Sequence, residues 1–185
     1  MVENILDREI NNAINNMLFM DFLRPYMCHK MLRGIPLKNN EKFILIKRID
    51  DDCLFDGYSL IRKQDVTKYR LHDGENDFTV KLQKKLNLYI DHCECPQINS
   101  WELFFRDISC FVPLVTLYRQ FKKEKEAYVG EIKKVTHNRI TLKPISPIAE
   151  WEDEQTLYFS PYSFCRIDYG DRYSKMLLKM QAGNE

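Results

Sequence analysis

The sequence predicts an α+β fold: an N-terminal helix, then two small, mainly antiparallel β units, the C-terminal one a five-stranded small barrel preceded by a helix. Three observations predict it. Apolar residues recur at helical intervals near residues 5–19, 101–108 and 173–180. Elsewhere the chain is dense in short β-branched and aromatic runs broken by turn chemistry. Finally, 185 residues with 44% apolar and 30% charged content suit a chain that buries a core in one or two small domains.

Taken in order, Leu6, Ile10, Ala13, Ile14, Met17 and Leu18 form the apolar stripe of the first helix. The stripe continues through Met20, Phe22 and Leu23 to Pro25, where proline should end or kink it. A second short helix is expected over 26–32, stopped by Gly34 and Pro36. From Lys42 the pattern changes to strand signal over 42–49 and 53–61, joined by a turn at Asp50, Asp51 and Asp52. Val66, Tyr69 and Leu71 suggest a third strand, and Asp73-Gly74 a turn. Residues 78–89 fit both periods. The polar, proline-containing stretch 91–99 is the best linker.

Ser100 is placed to cap a helix in which Trp101, Phe104, Phe105 and Ile108 share one face. Strands follow over 114–118, 128–135, 140–145, 157–159 and 164–169. In the last of these, alternation puts Cys165, Ile167 and Tyr169 on one face and Phe164, Arg166 and Asp168 on the other. Tyr173, Met176, Leu177 and Met180 then repeat at helical spacing, giving a short closing helix or a final strand extension. Five short strands in so few residues, with Gly130 allowing curvature, fit a small closed barrel. Ile132, Leu142 and Ile167 are expected in its core.

The stretches Tyr128-Val-Gly-Glu-Ile-Lys-Lys-Val, Arg139-Ile-Thr-Leu-Lys-Pro-Ile-Ser-Pro, Glu150-Trp-Glu-Asp and Cys165-Arg-Ile-Asp-Tyr-Gly-Asp-Arg-Tyr resemble the small-barrel half of a group of uncharacterised bacterial proteins of Sm-like/SH3-like type. The resemblance covers roughly residues 100–178. It implies a fold and a cytoplasmic setting, and it transfers no functional residue. The first half can also be laid over the second, Phe55-Asp56-Gly57 on Tyr128-Val129-Gly130 and Val66-x-x-Tyr69 on Phe164-x-x-Ile167. The landmarks lie 9 residues apart in the first half and 34 in the second, so a tandem duplication stays open. The organisation is therefore an N-terminal helical segment (1–36), a first β-rich unit (37–95), for which a degenerate small barrel is one form, and a C-terminal small barrel with flanking helices (96–185).

Charge and composition narrow the function. Lys plus Arg (28) nearly cancels Asp plus Glu (27), leaving +1, which disfavours strong non-specific DNA binding. Six glycines argue against a nucleotide fold built on glycine-rich turns. The first residues lack a secretory signal and no long apolar run spans a membrane, so a reduced, cytoplasmic setting is expected for the six cysteines. His92-Cys93-Glu94-Cys95 is the sharpest metal candidate, but it lacks a second ligand pair, and thiols in a linker are the better reading. Cys28-His29 lacks an orienting acid, and the Asp50–Asp52 trio lacks calcium-loop spacing. Phosphate-loop and nucleophile-elbow patterns are absent.

No catalytic residue, metal or cofactor is therefore assigned. The sequence favours a non-catalytic protein-interaction or scaffold module with a protein partner. Its contact surface would be aromatic, at Trp151, Tyr158 and Tyr162. The alternative is RNA or single-stranded DNA binding through Lys133, Lys134, Arg139 and Lys143. Glu131, Glu150, Glu152, Asp153 and Glu154 lie close to those cations in sequence, and such mixed charge favours a protein.

Overall fold

The computed structural model describes residues 5–24, 31–50, 54–74, 77–86, 95–119, 127–158 and 164–183. The first helix, α1 (Ile5–Asn16), ends earlier than its apolar stripe. Met17 takes a left-handed φ of 52°, its N–H bonds the Ile14 carbonyl and that of Leu18 bonds Ala13 at 2.9 Å. This is a Schellman stop. Residues expected to prolong the helix form β1 (Phe19–Leu23) instead, and Gly34 and Pro36 lie inside β2 (Leu32–Asn39). Most of the helix expected over 26–32 falls outside the described residues. Then come β3 (Phe43–Ile49), β4 (Phe55–Arg62), β5 (Lys68–His72) and α2 (Phe78–Leu86), which makes the described part of the ambiguous 78–89 stretch a helix.

The second half begins with α3 (Trp101–Ser109), capped as expected by Ser100, whose side chain accepts the Leu103 N–H. It continues with β6 (Val115–Arg119), β7 (Ala127–Thr136), β8 (Arg139–Pro144), β9 (Gln155–Tyr158), β10 (Phe164–Tyr169) and α4 (Arg172–Ala182).

The expected pair of small units with a closed barrel is not what these strands build. All ten join in one open antiparallel sheet, ordered β5-β1-β2-β3-β4-β10-β6-β7-β8-β9. Each run of five strands has the same internal order, its fifth strand beside its first. Instead of β10 closing on β9, its free edge takes β4, pairing Ile167 with Leu60 and Asp168 with Ser59.

The halves match in more than strand order. Met20 pairs with Gly34 and Val115 with Gly130, so Gly130 corresponds to Gly34 rather than to Gly57. At both glycines the second strand runs against the third so closely that a Cβ would lie 2.2 Å from the Lys47 carbonyl oxygen or 2.4 Å from that of Lys143. Of the other landmark only the second residue holds in register: Tyr69 pairs with Phe22 and Ile167 with Leu117, whereas Val66 lies before β5 and Phe164 inside β10.

The middle of the sheet is covered on both faces. Phe43, Leu45 and Leu60 join α3 in a core with Ile132, Leu142 and Ile167, while Ile44, Ile46 and Ile61 on the opposite face pack with Ile10 and Ala13 of α1. Ile132, Leu142 and Ile167 are thus buried as expected, in a sheet-on-helix core. A register shift between Phe164 and Arg166 turns Phe164 onto the same face as Ile167 and Tyr169, contrary to plain alternation. The linker segment is not loose over its described part: Lys38 Nζ donates to the carbonyls of Cys95 and Pro96, and Asn40 to that of Ile98.

Candidate binding cavity

Val115 and Leu117 face α3, so by strand alternation Thr116 and Tyr118 face the other side of the sheet. There, where the halves join, lies a cavity of about 510 Å³. Its wall includes Arg48 from β3, Tyr118 from β6, Val129 from β7, Ser146 and Glu152 from the turn after β8, and Tyr173 of α4.

The cavity floor is a buried charged network. Asp168 lies fully inside. It accepts from Ser59 Oγ, from Arg48 Nη1 at 2.9 Å and from Arg166 through Nε at 2.7 Å and through Nη2. Arg48 also donates to the Asp56 carbonyl from Nη2 at 2.6 Å and to its carboxylate at 3.0 Å. The Arg166 guanidinium stacks 4.7 Å over the Tyr118 ring. Burial, reinforced by the Asp168 charge, pushes the Tyr118 phenol up to about 12, so this hydroxyl stays protonated. Asp171 caps α4 through the Ser174 N–H.

Behind this floor Arg24 is buried and donates to the Cys165 carbonyl at 2.9 Å. Burial and then the Arg166 cation hold Arg24 below the ordinary arginine range. Burial also raises the Cys165 thiol to about 11, with Arg24 opposing, so the thiolate is scarce at neutral pH.

A second polar cluster lies at the far edge of the sheet. The His72 ring sits between Asp21 (3.0 Å) and Asp77 (2.9 Å), and Arg33 Nε donates to Asp21 at 2.6 Å. Burial works to raise both carboxyls, and their hydrogen bonds more than offset it: from Arg33 and His72 at Asp21, and from His72 and the Thr79 N–H at Asp77. Both are held below the usual carboxylate range. A larger cavity, about 610 Å³, opens over Phe43 and Trp101. Its charges balance, Glu41 and Glu102 against Lys42 and Arg62, so it shows no preference for either sign.

The surfaces expected from the sequence are only partly assembled. Trp151 is half-buried beside the cavity, bridging Ile145 and packing with Leu177 and Val129. Tyr158 pairs with Arg139 at the other end of β8, six residues from Ile145 and so roughly 20 Å away. Tyr162 lies outside the described residues, as do Cys28, His29, Asp51, Asp52, His92 and Cys93. Cys95 is half-buried, and no cluster of three or more His, Cys, Asp or Glu side chains placed to hold a metal occurs among the described residues.

Of the cations expected to form a nucleic-acid face, Lys133 is paired with Glu131 at 2.6 Å, and Lys143 sits opposite Glu131 with its ammonium 5.1 Å over the Trp151 ring. Lys134 and Arg139 are exposed. No helix among the described residues is long and apolar enough to cross a membrane. No family model, curated protein or solved structure matches the chain.

Sequence reasoning missed the cavity because its polar lining alternates with core residues and so reads as a solvent-facing strand side. The unbroken apolar run Phe43-Ile44-Leu45-Ile46 was the available signal that β3 is central and covered on both faces.

Proposed function

We propose that this chain is a non-catalytic protein-interaction module whose contact face surrounds the cavity between β6, β7 and α4. The observation that carries this reading is the exposed apolar rim beside that cavity. Ile148 (63% exposed) lies on the turn that forms one wall, and Tyr173 and Met176 lie on successive turns of α4, with Met180 continuing the stripe. Such clustered apolar side chains around a partly polar depression are the composition of a protein interface. Two of the cations of β7 and β8, Lys133 and Lys143, lie beside Glu131, which favours a protein over a nucleic acid.

Affinity capture from the native cell tests this, with and without nuclease, at low and high salt. A partner retained after nuclease and at high salt, and lost from an Ile148→Glu, Met176→Glu variant, supports the reading. Retention that vanishes with nuclease or with Lys133→Glu, Lys134→Glu overturns it in favour of nucleic acid, whose binding falls steeply with salt.

A further inference from the structure

We propose that the cavity takes a basic side chain, an arginine or lysine presented by the partner protein, with Glu152 as its ion-pair partner and Tyr173 as its aromatic wall. The inference rests on the protein-interaction reading above and names the chemistry of what enters.

The charge of the wall sets the sign of the guest. Four carboxylates line the cavity, those of Asp56, Glu152, Asp168 and Asp171, against the single guanidinium of Arg48. Arg166 and Arg172 pair with Asp168 and Asp56 from outside the lining, which still leaves one carboxylate in excess. The surplus is Glu152. Asp168 is filled by Ser59, Arg48 and Arg166, Asp171 caps α4, and Asp56 accepts from Arg48 and from the Arg172 N–H. The Glu152 carboxylate is exposed and has no side-chain partner among the described residues.

An anion would find little here, because Arg48 directs Nε, Nη1 and Nη2 to Asp56 and Asp168. A cation finds both an unpaired carboxylate and the Tyr173 ring, and cations are attracted to such ring faces. The same wall already holds one guanidinium over a tyrosine, Arg166 on Tyr118. Ile148, on the turn beside the cavity, and Met176, one turn along α4 from Tyr173, would then meet apolar residues flanking the basic one.

Two kinds of probe test this on the full chain. The first is n-butylguanidinium and n-butylammonium against butyrate at matched ionic strength, followed by amide NMR shifts. The second is a labelled short peptide with a central arginine between leucines, against the same peptide with glutamate at the centre. Both cations should shift the amides of Val129, Ser146, Glu152 and Tyr173 saturably, and butyrate should not. The arginine peptide should bind roughly tenfold tighter than its glutamate counterpart, and Glu152→Gln should remove about that factor, the worth of one charge-assisted contact. Tyr173→Ala, at an exposed position, should weaken binding without unfolding the chain.

Absence of a saturable response to either cation, equal binding of the two peptides, or an unchanged affinity in Glu152→Gln overturns the proposal. Partner capture that depends on Ile148 and Met176 but ignores Glu152 sinks the basic side chain alone. Peptide binding that depends on Glu152, with capture indifferent to Ile148 and Met176, sinks the interaction reading and leaves the cation site standing.

Discussion

Asp168 ties the two halves together through one side chain. It sits on β10 opposite Ser59 of β4 and gathers Arg48 from β3 as well, so three strands meet on one buried carboxylate. Removing it takes the shared carboxylate from between the guanidiniums of Arg48 and Arg166 and leaves two like charges close together in a low-dielectric seam, which is costlier than the pair itself is stabilising. Asp168→Ala is expected to lower stability by about 3–5 kcal/mol, and Ser59→Ala by about 1–3 kcal/mol, both read by urea unfolding; equal small losses would contradict this account. Asp7, Asp21 and Asp77 have folded pKa values below their unfolded value of roughly 3.9. Their contribution is therefore complete above that value and is lost as the pH falls through the folded values. The thermal midpoint should stay flat from neutral pH down to about 5 and drop below about 4, and Asp21→Asn should flatten that drop. An unchanged slope in the variant would assign acid lability to other groups.

At the scale of elements, the core that α3 covers draws on both halves, since Phe43, Leu45 and Leu60 pack with it alongside residues of β6, β7, β8 and β10. Ile132→Ala, Leu142→Ala and Ile167→Ala should each cost about 2–5 kcal/mol in denaturant titrations, and losses under about 1 kcal/mol at all three would remove them from the core. Strands β6 to β10, the Ser100 cap and the amphipathic faces of α1, α3 and α4 were legible in the sequence, because each depends on spacing within a dozen residues. What was not legible depended on partners distant in sequence. β1 shares its apolar spacing with a helix, and only the Met17 turn and pairing with β2 and β5 decide its state. The choice of β4 rather than β9 as the neighbour of β10 brings together Leu60 and Ile167, over a hundred residues apart, and no local period records such a pairing. The binding cavity inherits that difficulty, since Arg48 and Asp56 reach it from one half and Tyr118, Val129 and Glu152 from the other.

At the scale of the molecule, the repeated order of helix, five strands and helix would suggest two units that fold separately, and the seam argues the opposite. The β4–β10 ladder continues the sheet through the boundary, with Leu60 and Ile167 on one face and the Ser59–Asp168 contact on the other. Separating the halves would expose β4 and β10 edges together with the apolar residues of β3 and β4 that α3 covers, and an unpaired apolar edge is costly. Lys38 and Asn40 of the first half also hold the carbonyls of Cys95, Pro96 and Ile98 at the entrance to the second. The expected outcome is one cooperative unfolding transition, with calorimetric and van't Hoff enthalpies equal. Leu60→Asp, which places a charge under α3 at the seam, should lower the single midpoint as a whole. Two resolved transitions in the wild-type chain, or a variant in which only one half loses its amide protection, would show that the halves fold as independent units despite sharing a sheet.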